Sequence, residues 1–243
     1  MTNGIADISL RKAALVAGFA YLVSFIFAFY AGAGNVSTGP GVSVTTAINN
    51  MANEVLFRSG IASWLIVLTL DSVVAWALYI LLIPVNKSLS LLMAWFRLIF
   101  VAISGVALLF LIMALQLSKG ADYLTVFTAD QLQAQVILFL NAYWYVTLIA
   151  WVFFGLHIFF LGYLIFKSSR ATIPRIIGVL LMVASIGYQI NSFATFLLPN
   201  IANSSGILLA VTITPAIIAE LSLTFWLLFK GWKGFDKKLK KKK

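Results

Sequence analysis

The chain has 243 residues, of which 62% are hydrophobic and only 10% are charged. Soluble domains average about 45–50% apolar and about 25% charged residues. A soluble fold of this length leaves too much of its surface in water to hide so many apolar side chains. The composition therefore excludes a cytosolic enzyme, a nucleic-acid-binding domain and a disordered protein. It indicates a helical protein that crosses the membrane several times.

The chain contains no cysteine and one histidine, His157. These counts exclude disulfides, zinc–thiolate sites, cysteine-ligated clusters and bis-histidine haem within one chain. The net charge of +10 is concentrated at the carboxyl end, where Lys230 to Lys243 hold eight lysines. We expect residues 231–243 to form a basic tail. The tail serves either as a topology signal with a solvated end or as a segment that attracts anionic lipids. We expect no cofactor and no nucleic acid partner.

Six apolar runs are long enough to cross a hydrocarbon core of about 30 Å, which takes about 20 helical residues. They predict an all-α bundle of six spans that forms a single domain over residues 1–230. The spans are expected at 13–34, 60–83, 91–117, 134–166, 175–198 and 206–230. Thr128 and Gln131 form a capping-box pattern before the fourth span, and Pro174 is expected in the first turn of the fifth.

The lysines and arginines between the spans are distributed unequally. Fourteen lie in one set of connections and termini, and two, Arg58 and Lys119, lie in the opposite set. Cytoplasmic loops carry the excess of such residues. This asymmetry predicts a multi-pass protein of the cell membrane with both termini in the cytoplasm.

Each predicted span carries one polar group between the cytoplasmic leaflet and the midplane. Ionisable groups at this depth usually face the interior of the bundle, because exposure to lipid is costly. Small and hydroxyl neighbours at helical spacing predict an inward direction for four of these groups. The six residues, in span order, are Tyr21, Asp71, Arg97, His157, Tyr188 and Glu220. Asn191 follows Tyr188 by one turn and is a seventh candidate.

Structural roles compete with functional ones at most of these positions. The two tyrosines are consistent with packing, and Asn191 with an interhelical hydrogen bond. Arg97 lies close enough to the cytoplasmic end to extend its charge into the headgroups. His157 is consistent with a hydrogen-bonded core histidine. Lone carboxylates at this depth have no structural role unless they are paired or protonated, so Asp71 and Glu220 favour function.

Counting about 1.5 Å per residue from the cytoplasmic ends places Arg97, His157 and Glu220 within about 5 Å of one another in depth. Asp71 is placed about 10 Å deeper than Arg97. We therefore expect Arg97 to approach Glu220 or His157 more closely than Asp71. One histidine and two carboxylates are also a conceivable metal set, but they invert the common facial triad, and we expect no metal.

Nearly the whole chain resembles a known family, most specifically in its second half. The runs FFGLH at 153–157, GYL at 162–164, IPRIIGVLL at 173–181 and ELSL at 220–223 carry the resemblance, with FRL at 96–98. They are similar to a prokaryotic integral membrane family described only as a domain of unknown function (number four-three-eight-six). The resemblance implies about six spans and no established activity. That family tends to carry an acid where this chain has Asn191.

Three functions remain open from the sequence. The first is a binding or transport protein for a small molecule or ion, in which Glu220 and His157 carry a proton and Arg97 balances charge or holds an anionic group. The second is a membrane-embedded enzyme on a lipid-like substrate, with His157 and a carboxylate as acid and base. The third is a structural or accessory subunit whose polar residues only fix the helix register.

Overall fold

The computed structural model describes residues 8–32, 49, 51–119, 122–168, 173–198 and 205–233. This part of the chain contains six long α-helices and one short 3₁₀ helix, Asp122–Leu124, and it has no strand. All six long helices include a segment long and apolar enough to cross a membrane. The predicted all-α fold with six spans is confirmed.

The helices follow the predicted spans, with differences of several residues at their ends. The largest difference is at the second helix, which begins at Glu54 and not near residue 60, because Asn53 caps it there. Residues 234–243 of the predicted basic tail lie outside the described residues. In chain order, the helices are α1 (Leu10–Tyr30), α2 (Glu54–Leu82), α3 (Lys87–Ser118), α4 (Ala129–Lys167), α5 (Arg175–Leu197) and α6 (Ser205–Lys233).

Local sequence signals explain where α4 and α5 begin. The side chain of Thr128 accepts a hydrogen bond from the Gln131 amide, and the Gln131 side chain accepts one from the Thr128 amide. This reciprocal pair is the predicted capping box. Pro174 is the N-cap residue of α5, one position before the first helical turn. A proline is tolerated there because it has no N–H to leave unpaired.

The six helices form a closed ring in chain order. Each helix packs against the next, and α6 packs against α1. At this closure the Arg11 side chain donates hydrogen bonds to the carbonyls of Gly231 and Trp232. A cation at a helix C-terminus satisfies carbonyls that have no partner within the helix. Gly18 lies against Leu228 of α6, which lets the two backbones approach closely.

The helices alternate in direction, so their charged ends collect at two ends of the bundle. We call them the basic end and the far end. The far end has the ion pairs of Glu54 with Arg58 and with Lys119. Many large apolar side chains lie exposed on the outside between the two ends, as lipid-facing residues do. The charged residues of the basic end include, among those that the structure describes, Arg11, Lys12, Lys87, Lys167, Arg175 and Lys230.

Candidate functional site

Arg97 extends from α3 into the middle of the ring and is only 2% exposed. Its Nη1 atom donates a hydrogen bond of 2.6 Å to the Tyr21 hydroxyl of α1. Its Nη2 atom donates one of 2.5 Å to Asp71 Oδ1 of α2, which makes a buried ion pair. The guanidinium also lies over the rings of Tyr21 and Phe154, at 4.8 and 5.5 Å from their centroids. One side chain therefore connects three helices around a neutralised charge.

His157 of α4 completes this cluster and is fully buried. Its Nε2 atom lies 3.0 Å from Arg97 Nη1, and its Nδ1 atom lies 2.9 Å from the carbonyl oxygen of Met93. A guanidinium only donates and a carbonyl only accepts, so Nδ1 carries the proton and Nε2 is the acceptor. A second proton would place an N–H opposite the N–H of Arg97. The contacts therefore hold the imidazole neutral. We call Tyr21, Asp71, Arg97 and His157 the Arg97 network.

The prediction that Arg97 lies closer to His157 or Glu220 than to Asp71 is wrong. The Nη2–Oδ1 contact with Asp71 is the shorter one, at 2.5 Å against 3.0 Å for His157. The cause is the register of α2 and α3. The Ser90 hydroxyl donates to the Tyr79 carbonyl, so these two residues are level. From that level, Asp71 is about 12 Å and Arg97 about 10 Å into the bundle, which places them side by side.

The alternative in which Arg97 extends into the headgroups is also wrong. A snorkelling arginine keeps its charged head in water or among headgroups. The Arg97 side chain instead points inwards, and it has acceptors on α1, α2 and α4. Its Nε atom has no hydrogen-bond partner among the described residues.

Glu220 of α6 and Tyr188 of α5 lie beside the Arg97 network, and we call them the Glu220 group. Both are buried, with exposed fractions of 9% and 8%. Both interact electrostatically with Arg97 and Asp71, and with each other. Within the described part of the chain, however, no side chain forms a hydrogen bond with the Glu220 carboxylate. The Tyr188 ring packs edge-on against Trp151 and Phe154, at 5.6 and 5.2 Å.

The structure adds a residue that the sequence did not single out. Trp144 of α4 is buried, and its indole N–H has no acceptor among the residues described. The Asn191 side chain is 2% exposed, and its Nδ2 atom also lacks a partner. The interhelical hydrogen bond considered for Asn191 is therefore not formed by this atom within the described part of the chain. The neighbouring Ser192 makes such a bond instead, to the Leu148 carbonyl of α4.

The arrangement is poorly suited to a metal. Both ring nitrogens of His157 are engaged, so the imidazole offers no free lone pair. Asp71 is engaged by Arg97. Across the described ranges, no three acids or histidines come close enough to share an ion. All seven sequence-derived candidates are nevertheless buried, and the six at the predicted depth come from six different helices.

Comparisons with known proteins agree with the resemblance seen in the sequence. An uncharacterised protein of Archaeoglobus fulgidus is 32% identical over 168 residues, which are 69% of this chain and 81% of that protein. No solved structure matches this chain. The family described as a domain of unknown function (DUF4386) matches residues 16–231, a range that includes most or all of each of the six helices and every candidate site residue. The chain belongs to this family.

Proposed function

We propose that this protein is a binding or transport protein of the cell membrane, in which Glu220 is the group that exchanges a proton for a cationic solute. The observation that carries the proposal is the enclosed Glu220 carboxylate, which has no hydrogen bond from the described residues. A carboxylate inside a membrane bundle needs a proton, a cation or a set of hydrogen-bond donors. The described residues around it provide no such donors.

The charges around Glu220 support this role. Arg97 is the cation at this depth, and its ion pair with Asp71 compensates its charge. His157 is held neutral by its two hydrogen bonds. A charged Glu220 would therefore leave the cluster with a net charge of −1. A proton or a monovalent cation at Glu220 restores neutrality, and competition between the two couples solute binding to proton release.

His157 has a different role in this proposal from the one the sequence favoured. As a proton carrier it would have to break its contact with Arg97, because the protonated ring has no lone pair to accept with. The same contacts weigh against an enzyme in which His157 is the general base, because a base needs a free nitrogen near its substrate. We therefore assign the exchangeable proton to Glu220 alone.

A structural role is the second candidate, and the Arg97 network is the observation that favours it. The guanidinium joins α1, α2 and α4 to α3 through hydrogen bonds, as an element that fixes helix register would do. In this alternative Glu220 is permanently protonated and takes no part in exchange. Measurements of the stability of Glu220 variants and of proton binding at Glu220 distinguish the two functions.

Infrared spectroscopy of the protein in lipid nanodiscs tests the exchange at Glu220. A protonated carboxylic acid has its own carbonyl stretch. We expect such a band that decreases as the pH rises and that Glu220→Gln removes. Glu54→Gln is the matched control, since it deletes an exposed acid at the far end and should leave the band unchanged. A band that persists at every pH would support the structural role instead.

Thermal unfolding in detergent tests the cationic solute. Tetramethylammonium and methylguanidinium are suitable probes, because a ligand that binds only the folded state raises the melting temperature. We expect at least one of them to stabilise the wild type at a pH where the carboxyl band is decreasing. It should not stabilise Glu220→Gln. Equal effects on both proteins would contradict binding at Glu220.

The orientation proposed from the lysine and arginine asymmetry has its own test. Ser88 is exposed at the basic end and Val126 is exposed at the far end. With cytoplasmic termini, a single cysteine at Val126 should react with an impermeant reagent in intact cells. A cysteine at Ser88 should react only after the cells are opened. The opposite pattern would reverse the orientation.

A further inference from the structure

Two buried N–H groups between α4 and α5 have no acceptor in the described part of the molecule. They are Nδ2 of Asn191 and Nε1 of Trp144. Such groups are costly to leave unpaired inside a membrane protein, where lipid offers no hydrogen bonds. Ordered water is the common partner of buried polar groups that have none in the protein. Each of the two groups therefore points to a bound molecule with an acceptor oxygen.

The two groups lie near the same contact between α4 and α5. Ser192, the residue after Asn191, donates a hydrogen bond of 3.0 Å to the carbonyl of Leu148. Leu148 is one helical turn from Trp144. Asn191 and Trp144 are thus within about one turn of a shared point on the α4–α5 seam, so one small group of water molecules can contact both.

Polar groups continue from this point towards Glu220. Tyr188 is one turn before Asn191 on the same face of α5 and interacts electrostatically with Glu220. Trp151 packs edge-on against both Trp144 and Tyr188, at 5.7 and 5.6 Å. The aromatic rings therefore link the seam to the Glu220 group.

The seam is closed on the side of the basic end. A Cβ atom on Gly162 of α4 would lie 2.5 Å from the carbonyl oxygen of Gly178 of α5. A Cβ atom on Gly155 would lie 2.4 Å from the Gln189 side chain. The helices leave no room for water there. In the other direction, Thr195 lies one turn beyond Asn191, two residues before α5 ends at Leu197.

The walls of this region carry no charge. Between Asp130 and Lys167, α4 has no acidic or basic side chain except His157, and α5 has none after Arg175. An ion would find no counter-charge along such a path, whereas water would find hydrogen-bond partners. We infer that water enters the bundle from the far end between α4 and α5, and that Asn191 and Trp144 hold it on a path that brings protons to Glu220. The proton delivery, though not the water itself, rests on the proposed exchange at Glu220.

NMR of the protein with ¹⁵N-labelled tryptophan in nanodiscs tests the water directly. The Trp144 indole signal is the one that Trp144→Phe removes. We expect magnetisation transfer from water to this N–H about tenfold greater than to that of Trp95, a lipid-facing tryptophan, since only the first has water beside it. Equal protection of the two indoles would overturn the path.

Substitutions at Asn191 and Gln189 separate a water site from mere packing. Asn191→Leu should lower the water signal at Trp144 several-fold and slow the change of the Glu220 infrared band after a pH jump. Gln189→Leu is the matched control, because it removes an amide that is already bonded to the Val152 carbonyl, and it should change neither signal. A water signal insensitive to Asn191→Leu would overturn the path. If water contacts the Trp144 indole but the Glu220 infrared band does not change with pH, the water site is supported and the proposed function is refuted.

Discussion

The Arg97 network and the Glu220 group lie side by side, and they satisfy their charges in different ways. In the Arg97 network, the guanidinium has a carboxylate, a hydroxyl and an imidazole as partners on three other helices. In the Glu220 group, the carboxylate has no hydrogen bond from the described residues, although it is enclosed to nearly the same extent. Burial alone therefore does not identify a functional group in this protein. The difference in pairing is the basis of the two proposed roles, because paired charges can hold helices together and an unpaired one is available to a ligand.

The largest expected effect concerns the ion pair in the Arg97 network. Asp71→Asn leaves Arg97 buried without its counter-charge, which typically costs about 3–5 kcal/mol. We expect a corresponding loss of stability in detergent unfolding, and partial recovery in the double variant Asp71→Asn, Arg97→Met. Glu54→Gln, which removes an exposed acid at the far end, should have little effect on stability. If Asp71→Asn does not lower the stability, the Arg97 network is not needed to stabilise the fold.

A smaller loss is expected at His157. His157→Phe keeps a ring of similar size but removes an acceptor for Arg97 and a donor for the Met93 carbonyl. Unsatisfied buried groups of this kind cost about 1–3 kcal/mol each. Urea or thermal unfolding measures the change. If the variant also abolished the titration of the infrared band, the proton would belong to His157 and not to Glu220.

The closed part of the α4–α5 seam is tested by a substitution at Gly162. Gly162→Ala pushes a methyl group against the backbone of α5, and overpacking of this kind costs about 1–3 kcal/mol. Gly105→Ala is the matched control. A Cβ atom there has no neighbour within 4 Å, so the change should be neutral or stabilise α3 by about 0.5–1 kcal/mol through helix propensity. Equal effects on unfolding would contradict a tightly closed seam at Gly162.

The smallest change in stability is expected at Glu220. Glu220→Gln removes an unpaired buried charge and should leave stability unchanged or raise it by about 1 kcal/mol, since functional sites often retain groups that disfavour folding. The same unfolding measurement used for Asp71→Asn reveals the contrast. A loss as large as that of Asp71→Asn would place Glu220 in the structural network and remove the basis of the proposed exchange.

The sequence was sufficient for the helices and for the burial of the seven candidate residues. Apolar runs of about 20 residues predict spans, because the bilayer sets their length. It was not sufficient for the pairing of Arg97 with Asp71, because counting from helix ends ignores the register between helices. The bond between Ser90 and Tyr79 fixes that register, and no periodicity within one helix reveals it. Trp144 gave no signal either, since an indole in an apolar run does not show whether its N–H finds an acceptor.

The Arg11 contact at the junction of α1 and α6 has a consequence for the order of assembly. A chain made from its amino terminus inserts α1 before α6, so the α1 surface around Gly18 has to wait until the four intervening helices and α6 have been synthesised. The partners of Arg97 on α1, α2 and α4 are all present before α6 emerges. The neutral Arg97 network is therefore able to form first, within a partly assembled bundle of the first five helices. Glu220 then arrives with the last helix, and the carboxylate has to be neutralised at the moment the ring closes.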